Sequence, residues 1–174
     1  MKLFTFLSIM LFSTAIFVEA QIPNADFENW TNSSPNGWFT DNAAPILMPI
    51  TETTDAQHGN TAVKGEVVLF QTVPMAPFMY AGIDSIGGFP VAERYASLIG
   101  YYKFTSVQDD SMFILVMLTK NGNLIGVSKV TPNPASSYTQ FTANINYITN
   151  ETPDSCRIVI SILNQGPTMR AHVG

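Results

Sequence analysis

The chain has 174 residues, a net charge of −5 and only 12 % charged residues, about half the share usual in soluble domains. A surface this acidic and this sparsely charged argues against nucleic acid and anionic membrane as partners, while neutral polar partners such as sugars are compatible with it. The one cysteine, Cys156, excludes an internal disulfide.

Residues 1–20 read as a cleavable signal peptide. Lys2 is followed by an apolar run that continues to Val18, and Val18-Glu19-Ala20 places β-branched and small residues at the −3 and −1 positions before Gln21. The apolar core is shorter than the roughly 20 residues a span requires, and no later segment reads as a membrane span. The expected location is secreted or cell-surface, and the expected mature protein is a single domain, 21–174.

Residues 21–41, rich in Asn, Pro, Gly and aromatics, read as an extended entry. Residues 46–51 form a short edge candidate interrupted by Pro49, and 61–70 a β-rich run. Residues 71–94 hold Pro74, Pro77, Pro90 and Gly87-Gly88 and read as a loop with at most one short strand. In 95–105, Ala96, Leu98, Gly100, Tyr102 and Phe104 share one face, and Tyr95, Ser97, Ile99, Tyr101 and Lys103 the other. Residues 112–119 are apolar on both faces, as in a central strand covered on both sides. Asn121-Gly122 predicts a type I′ hairpin turn into 124–130. Residues 138–148 alternate around Phe141, Ala143, Ile145 and Tyr147. Residues 155–163 carry Ile158, Ile160 and Ile162 on one face, and Cys156 falls on that face too, as a buried apolar residue rather than a nucleophile. Short strands between turn clusters, without heptads or helical stripes, predict an all-β fold, an antiparallel β-sandwich. Met169-Arg170-Ala171-His172-Val173-Gly174 starts a new pattern, so the expected sandwich lacks its last strand.

Two stretches carry a family resemblance. Ile22-Pro23-Asn24-Ala25-Asp26-Phe27-Glu28-Asn29-Trp30, then Pro35-Asn36-Gly37-Trp38, resembles the opening of galactose-binding-like jelly rolls. Thr54-Asp55-Ala56-Gln57-His58-Gly59-Asn60-Thr61-Ala62-Val63 resembles the same family's second landmark, and Tyr101-Tyr102-Lys103-Phe104 a third. In this order the motifs are similar to those of carbohydrate-binding modules and of putative carbohydrate-metabolism domains in secreted Bacteroidetes proteins. The resemblance implies a jelly-roll topology and a structural calcium, with Glu28, Asp55 and Asn60 in the matching segments. Taken by themselves, Asp26, Glu28 and Asp55 read first as ordinary solvated turn residues. The later Asp of the family has no match.

Sugar binding needs an exposed aromatic with polar neighbours. Trp38, Tyr95, Tyr101 and Lys103 are the candidates, although Trp38 reads first as a packed core residue. Glu66, the one acid inside a strongly apolar run, shares a face with Lys64 and reads as outward. Asp109-Asp110 reads as a turn. No nucleophile elbow, phosphate loop or His-rich metal motif occurs. The expectation is a non-catalytic module that binds carbohydrate. The alternative is a structural or adhesive protein-interaction domain of a larger surface protein with further domains.

Overall fold

Period-two alternation punctuated by Gly, Asn and Pro leaves a chain one economical way to bury its apolar side chains: pair strands into sheets and stack the sheets. The computed structural model describes residues 22–82, 88–164 and 171–174, and every regular element in them is a strand. The expected leader at 1–20 lies outside the described residues, as do Gly87 and Met169-Arg170. The strands are β1 (Trp30–Thr31), β2 (Ser34–Pro35), β3 (Trp38–Thr40), β4 (Ile50–Thr53), β5 (Ala62–Gly65), β6 (Val68–Phe70), β7 (Val73–Met75) and β8 (Phe78–Ala81). They continue with β9 (Phe89–Pro90), β10 (Ser97–Phe104), β11 (Asp110–Lys120), β12 (Asn123–Val130), β13 (Ala135–Asn144), β14 (Asn146–Tyr147) and β15 (Ser155–Asn164).

A seven-stranded sheet runs β14-β12-β11-β15-β8-β3, with β9 also paired to β15. All its pairings are antiparallel. The antiparallel pair β10–β13 lies over its inner face, and the hairpin β4–β5 flanks that pair. Between the layers sits one core, in which Ile114, Val116 and Leu118 of β11 meet Cys156 and Ile158 of β15, Met79 of β8, Ile125 of β12 and Ala143 of β13. Each of these large side chains, once fully buried, contributes about 1.5–3 kcal/mol. The fold is therefore an antiparallel β-sandwich, as the alternation predicts.

Several elements match the sequence pattern closely. Asn121 and Gly122 take φ of 49° and 79°, the positive values a type I′ turn demands, and Lys120 pairs with Asn123 across it. β11 is central, hydrogen-bonded to β12 and β15. On its second face Lys129 of β12 lies over Phe113, and farther along the same sheet Arg157 lies over Tyr80 and Phe39 stacks on Tyr80 at 4.7 Å. Gly100 faces Phe141 across the β10–β13 ladder. A Cβ there would sit 2.6 Å from a Phe141 ring carbon, so the glycine lets the ring cross the strand.

Other boundaries shift. Residues 61–70 split into β5 and β6: the Glu66 N–H bonds Pro49 O one step beyond the Ile50–Gly65 pair, and β6 then pairs with β7 instead of β4. The segment 71–94 is more than a loop: β8 is an interior strand between β15 and β3, with Met79 and Ala81 buried. Pro74 and Pro77 just before it and Gly82 just after it hide this short apolar run in the sequence. Residues 21–41 also contribute β3 to the large sheet, and the strand expected at 46–51 starts only at Ile50. The run 138–148 changes sheets. β13 pairs with β10 and β14 with β12, while Ile145 N bonds Ala96 O at the crossing. Asp110, expected in a plain turn, is buried at 4 % exposure. Its carboxylate accepts the His172 backbone N–H at 2.6 Å and Asn164 Nδ2 at 3.1 Å, and His172 Nδ1 lies 2.9 Å away. This cluster fastens residues 171–174 to the start of β11.

Candidate recognition face

The pleat of β10 sends Leu98, Tyr102 and Phe104 toward the core and leaves Ile99, Tyr101 and Lys103 on the outside. Register with β13 sets Gln140 opposite Tyr101 and Thr142 opposite Ile99. Tyr101 is 49 % exposed. Beside it Lys103 Nζ lies 2.6 Å from both carboxylate oxygens of Asp55 and 4.5 Å from the centre of the Tyr138 ring. The Tyr138 hydroxyl donates to the Asp55 carbonyl oxygen. Burial raises the pKa of that hydroxyl, the Asp55 charge adds to the rise, and Lys103 opposes it. The result is an outward sheet face that offers one open aromatic ring between amide, hydroxyl, ammonium and carboxylate groups.

Two of the four expected ligand residues, Tyr101 and Lys103, meet on this face. Tyr95 does not. It packs against the core near the opposite end of β10, where its carbonyl accepts the Tyr147 hydroxyl. Trp38 is a correction. Its ring is 6 % exposed, packs 5.2 Å from Phe27 and donates its indole N–H to Pro23 O at 2.7 Å. With both its apolar face and its polar handle engaged, it has no surface left for a sugar.

The residues expected around calcium separate into two groups. Glu28 and Asn60 do meet. The Glu28 carboxylate accepts Asn60 N at 2.7 Å, Thr61 N at 2.9 Å and Asn60 Nδ2 at 3.0 Å. Those bonds, that of Thr61 N first, hold its pKa below the ordinary value despite some desolvation. Gly59 (φ 72°) lies so close that a Cβ would overlap the Glu28 carboxylate. Asp55 is instead drawn to Lys103. Calcium wants six to eight oxygens, whereas Glu28 here faces N–H donors and Asp55 a cation. These residues therefore do not fit one cage. Among the described residues no group of three or more His, Cys, Asp or Glu is placed to hold a metal.

Cys156 lies in the core, where burial pushes its thiol up to about 12. Glu66 points outward and pairs with Lys64 at 2.8 Å. Sequence reasoning missed Tyr138 and Gln140. Their alternation against Phe141 and Ala143 was readable, but their register against Tyr101 and Lys103 was not. Beneath the face a cleft of about 500 Å³ opens between the layers. Comparison with protein-family models, curated proteins and solved structures gives no match.

Proposed function

We propose that the chain is a secreted, non-catalytic jelly-roll module that binds carbohydrate through the outer face of β10–β13. The observation that carries this reading is Tyr101, half-exposed on a strand and flanked by Gln140 and the Lys103–Asp55 pair. Such a ring can lie against the apolar face of a pyranose while the polar neighbours fix its hydroxyls. The motif resemblance to galactose-binding-like modules supports the same class of partner. The test is a glycan array followed by polysaccharide pull-down with wild type and Tyr101→Ala. Retention of wild type and at least about tenfold weaker retention of a folded variant is the expected result. No glycan binding, or binding indifferent to Tyr101, would overturn it. A structural or adhesive protein-contact role draws on Ile99, 56 % exposed on the same face. Crosslinking to a protein partner without any glycan binding would favour that role.

A further inference from the structure

The cleft beneath the face has an unusual border. All of β5, Ala62–Gly65, and residues 101–104 of β10 line it. Successive side chains of a strand point to opposite faces, so a cavity that touches every residue in turn meets the strand at its edge. Neither edge has a second ladder partner among the described residues: β5 pairs with β4 and β10 with β13. The floor is apolar, formed by Met112 and Ile114 of β11 and Ile160 and Ile162 of β15. The gap runs on into an adjoining space of about 640 Å³, bordered again by Lys64, Gly65, Lys103 and Phe104.

An unpaired edge is a template for another strand, and here two edges face one gap over an apolar floor. An extended polypeptide fits this chemistry. Its main chain can hydrogen-bond to both edges while alternate side chains point down to the floor. Charge adds direction. Lys64 and Lys103 stand one on each edge, and their present partners, Glu66 and Asp55, form solvent-exposed pairs that cost little to exchange. We infer that the cleft between β5 and β10 is an acceptor slot for an extended strand of another polypeptide, apolar at alternate positions and acidic at outward ones. The inserted strand joins β4–β5 and β10–β13 into one continuous second sheet.

Amide hydrogen exchange on the full chain tests this, using synthetic peptides that alternate valine with threonine and aspartate. The expected result is at least about tenfold slower exchange at Ala62–Gly65 and residues 101–104, lost when the peptide backbone is N-methylated. Lys64→Glu, outside the sugar-binding face and on an exposed side chain, is expected to weaken the acidic peptide about tenfold. Lysine in place of aspartate in the peptide should restore binding. No protection by any such peptide would overturn the inference, as would protection that survives N-methylation. Equal protection by a fatty acid would reassign the cleft to small apolar ligands. Protection without peptide in a protein that elutes as a dimer would reassign it to a second copy.

Discussion

Replacing Asp110 with Asn keeps the size of the side chain and removes its charge from a site that is almost fully enclosed. Three contacts converge there: His172 N and Asn164 Nδ2 donate to the carboxylate, and His172 Nδ1 lies 2.9 Å from it. Hydrogen bonds to a charged acceptor contribute about 1.5–3 kcal/mol each. Asn retains one acceptor oxygen and turns an NH₂ group toward the remaining donors. Residues 171–174 can swing away, which caps the loss, so the expected cost is about 2–3 kcal/mol at neutral pH. In a domain of this size that lowers Tm by about 5–10 °C. The pH dependence carries the sharper signature. Burial works to raise the Asp110 pKa, but the His172 N–H, Asn164 and the His172 ring outweigh it and hold the pKa below the ordinary value. A depressed carboxylate pKa stabilises the fold above the unfolded value, about 4, and that contribution disappears as pH falls through the folded value. Calorimetry of wild type and Asp110→Asn from pH 7 down to pH 3 should therefore show the Tm gap narrowing below about pH 4. A gap that is absent at pH 7, or constant across the range, would refute the assignment of Asp110 as a charged anchor.

Other outcomes follow from the packing and the site. Gly100→Val drives a branched side chain against the Phe141 ring and should cost about 1–3 kcal/mol in urea unfolding. Ile114→Ala, in the centre of the core, should cost about 2–5 kcal/mol by the same measurement. Lys103→Ala breaks an ion pair whose acid is well exposed, so stability should change by less than about 1 kcal/mol while glycan retention falls. The Cys156 thiol should resist Ellman's reagent at pH 8 in the folded protein and react fully in denaturant.

The legible part of this fold is the part written in local chemistry. Asn121-Gly122 names its own turn, and the alternation in β10 and β15 names the inward faces. Residues whose environment depends on distant pairing were not legible. Phe78–Ala81 is four residues directly after Pro77, and only β15 and β3 on either side make it a core strand. Asp110 looks like a turn residue until a segment some sixty positions later delivers His172 to it. The candidate site divides the same way. Tyr101 and Lys103 were readable as an outward pair because both lie on one strand. Their companions Tyr138, Gln140 and Asp55 reach the face through the β10–β13 register and the loop after β4. Trp38, a ligand candidate that reads first as a packed core residue, is held in the core by the Pro23 carbonyl and the Phe27 ring.

The most direct measurement of the central claim is a heteronuclear NMR titration of the protein with the best-retained glycan. Shift changes should concentrate at Ile99, Tyr101, Lys103, Tyr138, Gln140 and Thr142, with those at Trp38 and Tyr95 unmoved. Saturable binding whose shifts fall elsewhere, and leave those residues untouched, would contradict the assignment of this sheet face as the recognition surface.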